Sequence, residues 1–311
     1  MDQEIDDLLG DYHQRYFGTG YKKIRHSILV FEKSNDGWRG KAKVSQLRNW
    51  SVKKGKSLKQ HLSNIDALVI SVLFSSKVIK SIYPEVKVSE MILSGFTLAM
   101  GSTPVTELNN VDVCLRVVSH SENHYFVRGN VENMRVQLTF YYSCAGKKQS
   151  NQGTGKQGDE SFFENQYRSL TNIINQIKFE SDTVVDCCIS IVPESELGDY
   201  DDIEGDYSQS VSLLSWLIIF AQIAEVDAYH FDHIKRNESA NFWARKITAT
   251  VNVQKLYHLK SKINVRLEIK KAKLLKMHDQ NWRTLSVSAY DANHFVEFTG
   301  KMAHQLLKEN L

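Results

Sequence analysis

The richest chemical signal in this 311-residue sequence is one short run, KSLKQHLSNIDALVIS, from Lys56 to Ser71. His61 and Asp66 stand five residues apart, where a polar stretch gives way to apolar residues at helical spacing. An imidazole and a carboxylate therefore flank the start of a helix, where they can move a proton while backbone amides steady an oxyanion. The same residues have a structural use. Ser63 to Asp66 fits the Ser/Thr-x-x-Asp/Glu capping box, in which Asp66 accepts from backbone amides at the positive helix end. The two roles are compatible, and replacing Asp66 or His61 by alanine is expected to cost only the ~1 kcal/mol of a lost cap.

A second cluster follows the apolar run VSLLSWLIIFAQIAEVDAY, which carries Gln222 and Glu225. Beyond it lie His230, His233, Arg236, Trp243 and Arg245. A His-x-x-His pair near an arginine suits acid/base or phosphate-binding work; the alternative is a polar helix end with basic groups at the negative dipole. Gln222, His230, His233, Arg236, Trp243 and Arg245 are the candidate substrate-binding residues. Lys53, Lys54, Lys56 and Lys59 precede the first helix, and Lys54, Lys56 and Lys59 could hold a phosphate with the help of the helix N-terminus. A solvated basic loop is the alternative. Cys114, Cys144, Cys187 and Cys188 have neither CxxC nor Cys/His ligand spacing, and the acidic run from Glu194 to Asp206 lacks EF-hand spacing. Neither a metal nor a cofactor is expected.

These residues must be positioned by the surrounding elements. The segment 146–160, GKKQSNQGTGKQGDE, has no large apolar residue and reads as a polar linker between domains 1–145 and 161–311. Each half offers a long apolar helix, around 64–82 and 210–229, followed by alternating strand-like runs. A further short amphipathic helix is expected through Tyr167, Leu170, Ile173, Ile174 and Ile177. The strand runs repeat at domain-sized offsets, 150 from Met91 to Asn241 and 151 from Val111 to Lys262, which indicates an internal duplication. A helix that is apolar nearly all round must be wrapped. The expected fold is α+β, a double hotdog with two long central helices, each wrapped by a curved antiparallel sheet; two unrelated α+β domains are the alternative.

Composition narrows the partners. With 39 basic and 36 acidic residues the net charge is +3, too balanced to nominate nucleic acid. The acidic start MDQEIDDLLGDY lacks a secretory pattern, and LLSWLIIFA is far shorter than the ~20 residues a bilayer needs. The expectation is a cytoplasmic protein in contact with neither membrane nor nucleic acid, with a homodimer left open.

The first helix start resembles the HPxxLDxxxQ stretch of polyketide-synthase dehydratases, with Leu62 for the proline and Ile70 for the glutamine. The second helix resembles that of fatty-acid dehydratases, with Ile218 where their glutamate stands. Taken together, DDLLGDYHQRYFGTGYKKIRHS, HLSNIDALVIS, SLLSWLIIFAQIAEV and SANFWARK resemble the avirulence D (AvrD) family over nearly the whole chain. That resemblance implies synthesis of syringolide-type acyl glycosides, akin to the butyrolactone synthases that join β-ketoacyl thioesters to a hydroxy-ketone phosphate. The implied partners are a β-ketoacyl thioester, on CoA or acyl carrier protein, and a sugar-like acceptor. His61 and Asp66 are nominated as catalytic from the residues themselves. A non-catalytic acyl-binding protein is the alternative, and so is a dehydratase, which would need His230, His233, His258 or His294 to face Asp66.

Overall fold

The computed structural model describes residues 3–46, 51–53, 55–143, 161–198, 200–277 and 279–306. The expected linker 146–160, together with Lys54 and Cys144, lies outside the described residues. The first half comprises α1 (Ile5–Leu9), β1 (Ile24–Ser34), β2 (Gly37–Gln46), the two-residue strands β3 (Val52–Lys53) and β4 (Lys56–Ser57), α2 (Asn64–Ile82), β5 (Met91–Ala99), β6 (Val111–His120), β7 (His124–Val131) and β8 (Met134–Tyr142). The second comprises α3 (Phe162–Asn165), β9 (Leu170–Ser181), β10 (Val184–Pro193), α4 (Leu213–Phe231), β11 (Ser239–Val251), β12 (Ile263–Met277), β13 (Gln280–Asp291) and β14 (Val296–Leu306).

Twelve strands form one antiparallel sheet in the order β1-β2-β6-β7-β8-β5-β11-β14-β13-β12-β10-β9. Read inward from either edge, each half places its own long strands in the same sequence: first, second, fourth, fifth, sixth, third. The halves meet where β5 pairs with β11, from Ala99 opposite Lys246 to Gly95 opposite Thr250. At the centre Thr97 faces Thr248, their hydroxyls 3.0 Å apart and their positions separated by 151. A residue facing its own repeat counterpart is what a twofold axis through the seam requires. Tyr21 and Tyr167, at equivalent places before β1 and β9, stack at 5.9 Å.

Both long helices start on a serine. Ser63 caps α2, and Ser212 accepts from the Ser215 amide to cap α4. Pro84 biases Tyr83 away from helical backbone, and α2 ends there. Fourteen α2 residues are buried from Ile65 to Ile79, on all sides rather than one stripe. α2 packs on β1, β2, β6, β7 and β8, and α4 on β9 to β13 together with β5. This arrangement fits a double hotdog.

The short amphipathic helix expected through Tyr167 to Ile177 is instead a 3-10 turn followed by β9. The cause is a bulge: Gln176 has φ 52°, and Gln176 and Ile177 together oppose the single Cys187. The bulge puts the inward residues Ile174 and Ile177 three apart, a helical spacing inside a strand.

Before α4, Glu204 takes a left-handed backbone conformation (φ 67°) and accepts from the Leu93 amide at 2.9 Å. Burial pushes its carboxyl up to about 8, reinforced by Asp202 and opposed by the Leu93 bond. The folded protein thus keeps a proton that the unfolded chain has released, so this group's contribution to stability declines as pH rises from about 4.5 toward 8 and levels off above. Glu204→Gln, which keeps the acceptor without the charge, should gain on the order of 1–3 kcal/mol at about pH 8.5 and almost nothing at about pH 4 in urea unfolding. An equal change at both would show that ionisation of Glu204 is not the cause.

Candidate active site

A cavity of about 210 Å³ lies between the start of α2 and the interior of the second half. α4 contributes Leu217, Phe220, Ala221, Ala224, Glu225 and Tyr229, a stretch of about 18 Å at 1.5 Å per residue. The inward faces of β11 to β14 add Ile247, Leu267, Val287, Phe298 and Met302, so the body of the cavity is apolar. Its mouth is polar: Arg15, Lys53, His61, Asn64, Glu225 and Arg236 all reach it. An apolar slot with a charged rim suits a molecule with one greasy end and one polar end.

Behind the wall at the α2 start runs a buried hydrogen-bonded chain. The Tyr16 hydroxyl bonds the Ser63 hydroxyl, and both residues line the cavity. Ser63 Oγ donates to Asp66 Oδ2 at 2.7 Å, and the Ser63 amide donates to the same oxygen at 2.8 Å. His26 Nε2, from β1, donates to Asp66 Oδ1 at 2.7 Å, with both side chains fully buried. Burial, and then the nearness of Asp66, push the Tyr16 phenol well above its ordinary range, so it stays protonated and donates. Asp66 therefore does not line the cavity: its oxygens are taken by Ser63 and His26, and it reaches the cavity wall through Ser63 and Tyr16.

His61 does line the cavity. Its Nδ1 donates to the Lys59 carbonyl at 3.0 Å, which leaves Nε2 as the acceptor nitrogen. The His61 ring stacks on Trp243 with centroids 5.7 Å apart. His61 lines the cavity, whereas Asp66 does not, and the imidazole hydrogen-bonded to Asp66 is that of His26. Among the described residues none of His230, His233, His258 or His294 is hydrogen-bonded to Asp66, so the opposed pair a dehydratase would need is absent from these bonds.

Of the other nominated residues, Arg236 and Trp243 line the mouth. Gln222 lies one layer behind, where its Oε1 accepts from Arg15 at 3.0 Å. Arg245 donates to the carbonyl of Gly101, itself a lining residue. His230 is elsewhere, stacked on Phe179 at 3.7 Å, and His233 follows it at the exposed end of α4. Lys56 and Lys59 are exposed and do not line the cavity, whereas Lys53 does.

Sequence reasoning passed over Arg15, Tyr16, Ser63 and Glu225 as cavity residues. Burial raises the Glu225 carboxyl above its usual range, while Arg236, Lys53 and Arg15 pull it down. One signal was available: YFGTGYKKI at 16–24 repeats as FFENQYRSL at 162–170. The repeat puts Phe162 at the place of Tyr16 and Asn172 at that of His26, and the helix caps put Ser215 at that of Asp66. Among the described residues the second half keeps only the Ser212 to Ser215 hydroxyl bond of that chain, at 3.3 Å. The counterpart site at the α4 start, with Ser210 for His61 and Ile92 for Trp243, has shrunk to about 10 Å³.

The family described as Pseudomonas avirulence D protein (AvrD) matches residues 1–307. No curated protein matches the sequence. Similar solved structures include the TesB protein of Mycobacterium avium subspecies paratuberculosis, at 10% identity and TM-score 0.47, covering 89% of this chain and 96% of that one. Another is acyl-CoA thioesterase II TesB2 of Mycobacterium marinum, at 6% identity and TM-score 0.46 over 90% and 97%. A third is the 12:0-ACP thioesterase of Umbellularia californica, at 10% identity and TM-score 0.42 over 94% and 98%.

Burial changes the expected cost of losing Asp66. Asp66→Ala strips partners from His26 and from the amide and hydroxyl of Ser63, all buried, and should destabilise by about 3 kcal/mol rather than the ~1 of an exposed cap. Denaturant titration measures it; a loss under about 1 kcal/mol would mean that the network contributes no more than an ordinary cap.

Proposed function

The chain belongs to the AvrD family, and from that premise we propose that it is a biosynthetic enzyme joining a β-ketoacyl thioester to a sugar or hydroxy-ketone acceptor. In this reading α2 and α4 are the central helices of two hotdog units, 1–145 and 161–311. The observation that carries the proposal is the apolar cavity along α4, which opens at the α2 N-terminus beside His61. The acyl tail lies against Phe220, Ile247 and Phe298, and the thioester carbonyl sits at the helix start, where backbone amides and the helix dipole favour negative charge.

His61 Nε2 takes the proton of the attacking hydroxyl. The new bond forms between that oxygen and the carbonyl carbon, the carbon–sulfur bond breaks, and His61 returns the proton to the departing thiolate. Asp66 acts as a positioning residue, holding Ser63 and Tyr16 at the wall. Lys53 and Arg236 bring positive charge to the mouth beside Glu225, suited to a phosphate on the carrier or the acceptor, with Trp243 as a further lining residue and Lys56 and Lys59 exposed outside the cavity.

A second reading, an acyl-binding protein without turnover, draws support from Asp66, whose oxygens are already taken by the cap and by His26. The two part in one assay. Purified protein given a β-ketoacyl thioester and a pentulose should release free thiol and form an ester, with little thiol released when the pentulose is left out. His61→Ala should lower that rate by about a hundredfold or more while the protein stays folded. Full activity in His61→Ala would remove the histidine from the mechanism, and acyl binding with no thiol release for any acceptor would favour the second reading.

A further inference from the structure

Gly300 faces the cavity from the middle of β14, between the inward residues Phe298 and Met302, and all three are lining residues. Neither a turn nor a positive φ requires glycine there. A glycine inside a strand weakens it and often marks a place where something approaches closely. A Cβ built at Gly300 would lie 3.0 Å from Cγ2 of the stiff, β-branched Val287 and 3.3 Å from Cε of the flexible Met302, both cavity-lining residues. The nearest backbone atom, the Lys246 carbonyl oxygen, is 4.0 Å away, so a larger residue here would have to displace Val287 and Met302 at the cavity wall and take up cavity space.

The duplicated half supplies the comparison. Gly300 pairs with Ile247 on β11, and Leu138 pairs with Phe96 on β5. Phe96 and Ile247 are 151 apart, as are Thr97 and Thr248, which face each other at the seam. Leu138 is therefore the counterpart of Gly300. It is 2% exposed, and neither it nor Phe96 lines the cavity of about 10 Å³ at the counterpart helix start, so its side chain sits in closed packing where Gly300 borders open space.

Position along the strand says what Gly300 controls. Trp243, at the mouth, pairs with Ala303. Gly300 is three residues further along β14, about 10 Å at the rise of a strand. Phe298, packed on Phe220 at 4.9 Å, lies beyond it. We propose that Gly300 sets the length of acyl chain the site accepts, because the absence of a side chain there keeps the slot open past its midpoint toward Phe298. This inference rests on the acyl-thioester reading of the cavity.

Calorimetric titration with butanoyl, octanoyl and dodecanoyl pantetheine tests it on the full chain. Wild-type protein should bind the longer chains more tightly. Gly300→Leu should lose at least about tenfold in affinity for the dodecanoyl ligand and keep its affinity for the butanoyl one. Gly300→Ala, the smaller change should leucine prevent folding, should show a lesser loss confined to the longest chain. Equal losses for all lengths, or none in either variant, would overturn the role given to Gly300 while leaving acyl binding in place. A wild-type protein that binds no chain of any length would overturn the acyl-thioester reading itself.

Discussion

The seam between β5 and β11 is the constraint on which the rest of the molecule depends. Five backbone pairs, centred on Thr97 and Thr248, turn two six-stranded halves into one sheet. The approach is close: a Cβ on Gly95 would lie 3.2 Å from the Ala249 carbonyl oxygen. A slip of one residue would turn inward side chains outward along the strands it moved. It would also shift the start of α2 relative to the interior of the second half. The cavity takes Tyr16, Ser63 and Asn64 from one side of the seam and Phe220, Ile247 and Phe298 from the other, so the site is only as well formed as that register.

A second tie reinforces the first. Arg15 is 2% exposed, donates to Gln222 on α4 and forms an ion pair with Asp6 on α1. It thereby fastens the N-terminal segment across the mouth, next to Tyr16. Burial, with the like charge of Arg236 adding to it, lowers the Arg15 pKa, and the opposite charges of Asp6 and Glu225 counter it. At the α2 start the carboxylate of Asp66 does for Ser63 and His26 what a solvated group could not, because buried hydrogen bonds to a charged acceptor are strong and their loss leaves donors stranded.

Most strands were legible because their inward residues alternate. The duplication showed in offsets of 150 and 151, and the Ser63 to Asp66 cap could be read from four residues. What escaped notice was non-local or broke the pattern. His26 sits forty residues before Asp66, and its inward parity with Ile24 shows its face but not its partner. The bulge at Gln176 gave a strand the spacing of a helix. Spacing placed His61 with Asp66, yet His61 lines the cavity while Asp66 bonds Ser63 and His26 in the interior. Lys53 and Lys56 look alike in sequence and stand opposite each other in the β3–β4 pair, yet only Lys53 lines the cavity while Lys56 is exposed.

Joining both halves in one polypeptide changes what substitution can do. In a dimer of identical subunits every replacement is made twice, so one of the two equivalent sites cannot be filled without filling the other. Here Ser210 stands against His61, Phe162 against Tyr16, Ser215 against Asp66 and Leu138 against Gly300. Each pair is a place where symmetry has been broken in sequence while the strand order keeps it in the backbone. The blocked half is thereby free to be chosen for stiffness alone, and the open half keeps the awkward burials and empty volume that a working site demands.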